Sequence, residues 1–183
     1  MTRPDRAGLT PSQTVGPFLH LGLVLPAARH AVPQGTAGAL RIGGTVRDGT
    51  GEPVTDAVVE TWQVLPAGSP HRGLARCWTG PDGSWDVLTV RPDPLPTPDG
   101  SATEAPHLDV SVFARGLLDR VVTRVYLPED ARVEGPGGHA HDPALRRVPE
   151  HRRATLVAVR VADLDYRFDI RLQGEDETVF FDL

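Results

Sequence analysis

From Leu40 onward the chain never sustains one hydrophobic period for long. Short β-compatible runs alternate with turn signals: Leu40 to Arg47, then Asp48-Gly49-Thr50-Gly51, then Val54 to Val64. Many short strands at close spacing, with no long amphipathic helix among them, specify a sandwich or barrel. Around Pro81-Asp82-Gly83 the runs Arg76 to Thr79 and Ser84 to Arg91 are predicted to pair as a hairpin, since Asp-Gly accepts the positive φ of a tight turn. Leu108 to Arg115 and Leu118 to Leu127 form a second predicted pair about Gly116, and Thr155 to Val161, Tyr166 to Leu172 and Thr178 to Phe181 close the chain. Tyr166 to Leu172 alternates strictly, which buries one face and leaves the other wet or against a partner.

The reading is therefore all-β: an antiparallel β-sandwich over residues 40–183 with long loops, preceded by an extended N-terminal arm over residues 1–39. The arm is rich in Pro, Gly, Ala and Thr and keeps neither a period of 2 nor one of 3.6. Pro92 to Pro106 and the stretch around Gly135-Pro136-Gly137-Gly138 are loops, and a short helix is predicted from Pro143 to Arg147 with Asp142 as its N-cap.

With 183 residues and 39% hydrophobic content, one sizeable core is affordable and two complete domains are not. A net charge of −5 argues against a nucleic-acid surface; the basic residues are all arginine and are interleaved with acids. The one cysteine, Cys77, excludes an internal disulfide framework and a thiolate zinc site, and its place in a strand makes it a packed small residue. No run reaches the roughly 20 apolar residues that cross a bilayer, and Met1 to Leu25 lacks a secretion signal's basic start and unbroken apolar centre. No membrane association and a cytoplasmic location are expected.

Four groups of residues invite a chemical reading. His139 and His141, two apart, would point to one side of an extended segment and could share a metal, but the Gly and Pro around them predict solvated histidines on a mobile loop. His107 and Asp109 share a strand face, yet no third or fourth ligand can be nominated, so His107 is expected to hydrogen-bond within the sandwich near a loop. Asp82, Asp86, Asp93 and Asp99 lack calcium-loop spacing and fit turns. Arg115 ends a strand just before Gly116, where a sandwich presents polar side chains in a cleft; it suits either a ligand carboxylate or an intramolecular acid.

The arm sequence Thr10-Pro11-Ser12-Gln13-Thr14-Val15-Gly16-Pro17-Phe18 resembles the opening segment of the protocatechuate 3,4-dioxygenase family of intradiol ring-cleaving enzymes. The resemblance continues through Gly44 to Gly51 with Val59-Glu60-Thr61-Trp62-Gln63, through Ala105-Pro106-His107 with Ser111 to Gly116, and through Tyr166 to Glu175 with Glu177 to Asp182. The middle and end stretches are similar to the family's alpha-type chain. That family joins two homologous chain types, of which only the beta type holds catalytic iron(III), through two Tyr and two His.

Set against that ligand pattern, the first tyrosine position falls near Gly68 to Gly73, where Ser69-Pro70-His71 stands, and the second near Arg91 to Pro96, which has no Tyr. His107 remains of the His-x-His pair and Asp109 replaces its second member. The resemblance thus implies an alpha-type chain that holds no metal and has no catalytic residue of its own, working with an iron(III)-bearing beta subunit. Together they would insert both atoms of O2 between the hydroxyl-bearing carbons of protocatechuate, giving 3-carboxy-cis,cis-muconate in the β-ketoadipate route of aromatic degradation. The positions that match substrate-wall residues are Thr14, Val15, Gly16, Pro17 and Arg115, with Val15 standing where an alanine is expected. Two other classes fit the same chain: a β-sandwich binding module, which fold alone permits, and a self-sufficient intradiol dioxygenase, against which the missing tyrosines speak.

Overall fold

The computed structural model describes residues 10–23 and 25–182, so the predicted arm before Thr10 lies outside the described residues. The core is two packed sheets. In the first, β1 (Ala39–Arg47) is central, with β4 (Ser84–Val90) antiparallel on one side. On its other side lie β10 (Asp165–Arg167) and β11 (Ile170–Arg171), both parallel to it, and β9 (Val159–Ala162) flanks β10 as an exposed edge. The second sheet is fully antiparallel, in the order β3 (Leu74–Trp78), β2 (Val58–Trp62), β7 (His107–Phe113), β8 (Val121–Tyr126). β5 (Leu95–Pro96) and β6 (Thr103–Glu104) make a small separate ladder.

Alternation dictates which side chains meet between the sheets. Leu108, Val110 and Val112 of β7 are fully buried while Asp109, Ser111 and Phe113 are only half-buried, and β4 turns Trp85 and Val87 inward in the same way. They meet Leu40, Ile42 and Val46 of β1 and Val59 of β2. Each such side chain contributes about 1.5–3 kcal/mol by leaving water.

Thr155 to Val161 is strand only from Val159, its start lying in a 3-10 stretch, and three further predicted elements turn out differently. The Arg76 to Thr79 and Ser84 to Arg91 runs do not form a hairpin: β3 pairs with β2 and β4 pairs with β1, so the Asp82-Gly83 turn carries the chain from one sheet to the other. The turn itself is as expected, closed by Gly80 N to Ser84 O at 2.8 Å, with Gly83 at φ +75°. Any Cβ at Gly83 would sit 2.7 Å from Val46 O, so the crossover depends on glycine for space as well as for φ. Tyr166 to Leu172 is broken into β10 and β11 at Phe168-Asp169, because the Asp169 carboxylate takes over the Thr45 N–H (2.9 Å) that a ladder carbonyl would accept. Thr178 to Phe181 forms no strand, only a bridge between Phe181 and Val122.

The long segment after β8 is compact. Two 3-10 turns, Pro128–Arg132 and His139–His141, lead to α2 (Pro143–Arg147), where Asp142 accepts from Leu145 N at 2.8 Å as the predicted N-cap. A further 3-10 stretch, Glu150–Leu156, follows. Together they lay Leu145, Val148 and Leu156 over Tyr126 and Ala105, a second small core on the outer face of β7 and β8. The arm contains a short helix, α1 (Leu19–Leu23), then meets β4 where Ala31 N donates to Leu88 O at 2.8 Å and Ala31 and Val32 are buried. Before that point Phe18, Leu21 and Leu25 are exposed. Among the described residues no helix is long and apolar enough to cross a membrane.

Candidate functional site

The β7–β8 hairpin carries two polar groupings, one at its tip and one near its base. At the tip, Arg115 follows β7 and Gly116 adopts φ +92° to turn the chain. The arm comes to this turn: Gly116 N donates to Thr14 Oγ1 at 2.9 Å. The fold therefore brings Thr14 beside Arg115, although 101 positions separate them in the sequence. Val15 lines an open groove of about 510 Å³ with Phe113, Leu118, Arg120 and Phe181. Gly16 turns at φ +70°, and Pro17 is exposed and leads into α1. The Arg115 guanidinium is 64% exposed and its Nε lies 2.9 Å from Asp56 Oδ2. Of the two readings open to Arg115, the intramolecular acid is present, an ion pair on one edge of the guanidinium with solvent beyond it. Asp56 has no motif in the sequence; the signal for it is that the β2–β7 register, continued two residues past Val58↔Phe113, sets Asp56 opposite Arg115.

Near the base, Arg124 stands opposite Asp109 in the β7–β8 ladder. Its Nε bonds Asp109 Oδ1 at 3.0 Å and its Nη1 lies 3.2 Å from Glu104 Oε2, with the side chain only 12% exposed. His107 is buried as expected and its Nδ1 is 2.7 Å from Ala105 O; its Nε2 lies 3.6 Å from Asp109 and 3.7 Å from Glu104. Beside it Tyr126 is fully buried and donates to Asp142 Oδ1 at 3.2 Å. Burial, then the Asp142 charge, push the Tyr126 phenol well above its ordinary value.

His139 is not the solvated loop histidine the sequence suggests. It lies in a 3-10 turn, half-buried, edge-on to the Tyr126 ring at 5.5 Å, with Nε2 out of contact with water. Burial lowers its pKa. At three residues per turn, positions two apart point in different directions, and His141 is exposed. Cys77 is buried, which raises its thiol pKa, and Asp82 and Asp99 close turns onto Ser84 N and Ser101 N at 3.0 Å each. Asp99 is lowered to about 2, first by its bond from Thr97.

The donor set does not fit a ferric centre. A fixed guanidinium stands between the carboxylates that flank His107, where it would repel a metal ion, and both phenols are bonded elsewhere, Tyr126 to Asp142 and Tyr166 to Glu129. Among the described residues no group of three or more His, Cys, Asp or Glu is arranged to hold a metal.

The fold has solved counterparts. The dioxygenase domain of a dioxygenase carbohydrate-binding protein fusion from Streptomyces sp. SirexAA-E superimposes with a TM-score of 0.60 at 23% identity, covering 90% of this chain and 98% of that one. Catechol 1,2-dioxygenase from Acinetobacter radioresistens gives 0.58 at 17% identity over 84% of this chain and 59% of that one. The architecture is that of the intradiol dioxygenases. No family model matches the chain. Whole-chain relatives narrow the class: the chain is 40% identical to the protocatechuate 3,4-dioxygenase alpha chain of Burkholderia cepacia, over 95% of this chain and 97% of that one. It is 37% identical to the alpha chain of Pseudomonas putida over 94% and 96%, and 29% identical to the beta chain of Burkholderia cepacia over 96% and 80%. The chain belongs to the protocatechuate 3,4-dioxygenase alpha-chain family.

Proposed function

We propose that this chain is the non-iron-binding alpha subunit of a protocatechuate 3,4-dioxygenase, forming one wall of an active site whose iron(III) is held by a beta-subunit partner. The observation that carries this is the near full-length match to two alpha chains, at 40% and 37% identity. The guanidinium-filled cluster around His107 supports placing the metal on the partner. Bound there, iron(III) supplies the activation of the catechol toward O2. The ring is opened between the two hydroxyl-bearing carbons to 3-carboxy-cis,cis-muconate.

This chain's own part is to bind and orient. A catechol bearing an extra carboxylate needs a cation aimed at that group, and Arg115 offers a planar, fork-shaped guanidinium that is largely in solvent. Thr14, Val15, Gly16 and Pro17 supply the arm's side of the cleft, and their attachment to the Arg115 turn through Thr14 supports treating them as one unit with it. Residues 1–39 are proposed to serve as the arm contacting the partner, which the exposed Phe18, Leu21 and Leu25 suit, with residues 40–183 as the sandwich domain. A cytoplasmic enzyme is part of the same proposal, in keeping with the unpaired, buried Cys77.

The test is iron content and protocatechuate-dependent O2 uptake, measured for this chain alone and after co-expression with a beta-type chain. Silence alone and turnover together support the shared site. Iron and turnover in the lone chain would make it an enzyme by itself and overturn the proposal.

A further inference from the structure

We infer that Asp56 is a positioning residue for substrate binding: it holds the Arg115 guanidinium by its Nε edge and so aims the free edge at the substrate carboxylate. The inference rests on the assignment of Arg115 proposed above.

The backbone beneath Asp56 is fixed before its side chain does anything. Ala57, fully buried, donates its N–H to Thr79 Oγ1 at 2.9 Å and accepts from Thr79 N at 3.0 Å, so the residue just before it has little freedom. Across the sheet, Ala114 is buried next to Arg115, and the β2–β7 register runs on to set Asp56 against Arg115 as a cross-strand pair. On the far side Gly116 is tied to Thr14. Arg115 thus leaves the backbone between two anchored neighbours.

Among the described residues, Asp56 is the one ion-pair anchor of the Arg115 side chain. An arginine that is 64% exposed samples many rotamers and would lose that freedom on binding a ligand. The Asp56 carboxylate is better shielded, at 22% exposed, and meets Nε at 2.9 Å. A guanidinium offers five N–H donors around its plane. An acid at Nε leaves the Nη1/Nη2 edge for a second carboxylate, which that edge can grip bidentately. Among the described residues Asp56 is the one carboxylate within ion-pair reach of Arg115, so no described acid takes the second edge. Orientation settled before binding lowers the entropic cost of capture, and that gain appears in affinity.

The experiment uses the assembled alpha/beta enzyme with protocatechuate, comparing wild type, Asp56→Asn, Arg115→Ala and the double variant. Arg115→Ala is expected to raise KM by roughly 10-fold or more, the size of a lost charge-assisted contact, with iron content intact. Asp56→Asn is expected to raise KM roughly 3- to 5-fold with little change in kcat, and to add nothing in the Arg115→Ala background. An Asp56→Asn enzyme with equal or lower KM, beside an impaired Arg115→Ala enzyme, overturns the role of Asp56 and leaves Arg115 in place. So does a KM increase from Asp56→Asn that persists undiminished without Arg115. Normal Michaelis behaviour in Arg115→Ala would instead sink the Arg115 assignment itself.

Discussion

Arg115 and Arg124 belong to one hairpin and live in opposite conditions. Arg115, at the tip, is 64% exposed and meets one acid, while Arg124, near the base, is 12% exposed and meets two. The closed group is knit further by His107, Tyr126 and Asp142 and is roofed by the segment after β8. The open one is met by Asp56 and bordered by the arm. Charges shut away with their partners hold a structure in shape and are costly to disturb. A charge left with one edge in water has capacity to spare for a ligand. It is the number of partners, two acids at Arg124 and one at Arg115, that fits the proposed ligand role to Arg115.

The sharpest way to break this comparison is to remove each arginine and measure stability. Arg124→Ala leaves Asp109, Glu104 and His107 facing one another without their cation, and is expected to cost roughly 3–5 kcal/mol in denaturant melts. Arg115→Ala should cost under about 1 kcal/mol, as exposed pairs do. Equal losses would mean that the two clusters do not differ in kind.

The acids should follow the arginines with smaller numbers. Asp142 is fully buried and satisfies three donors: Leu145 N at 2.8 Å, Ala105 N at 2.8 Å and the Tyr126 hydroxyl at 3.2 Å. Asp142→Ala strands all three and uncaps α2, for an expected loss of about 2–3 kcal/mol, against less than about 1 kcal/mol for Asp56→Ala. An Asp142→Ala protein as stable as wild type would show that the roof over β7 and β8 is held by Leu145, Val148 and Leu156 alone.

The sequence carries local rules well and distant pairings poorly, and these two regions show why. Asp142 is legible as a cap because an Asp before Pro143 acts on an N–H three residues away. The turn at Gly83 is legible for the same reason, but which strands it joins is not: whether Ser84 to Val90 pairs with its neighbour or with β1 depends on a ladder some 45 residues away. Alternation marks Tyr166 to Leu172 as a strand, yet the break at Asp169 comes from a side chain competing for the Thr45 N–H across the sheet. At the candidate site, Arg115 stands out by its place at a strand end, and the arm by resemblance. Asp56 and the Thr14 contact are set by register and by the arm's path, neither of which has a local signal. His139 is misread for a related reason: Gly137-Gly138 looks like slack, whereas Gly138 is where the backbone closes on Val133, whose O would be 2.0 Å from an added Cβ.

The smallest effect comes from that histidine and concerns the closed region alone. Burial holds the His139 pKa below its ordinary value, against the pull of the nearby Asp142 charge and of the ring's bond to the Leu127 backbone. The folded chain therefore keeps the ring neutral at pH values where the unfolded chain protonates it. The stability this represents is fully present above about pH 6.5 and drains away as pH falls through that value toward the lowered one. His139→Asn, which can keep a donor near Leu127 and cannot titrate, should flatten this part of the stability profile while leaving its neutral-pH value nearly unchanged. Melts in a buffer series from pH 7.5 down to 5.5 read the slope directly, because stability rises with pH wherever the unfolded state binds more protons. A His139→Asn profile as steep as wild type would assign the slope to another group and make the roof over β8 indifferent to the charge of this ring. A flattened profile would show that this roof, unlike the solvated tip at Arg115, excludes even one added charge.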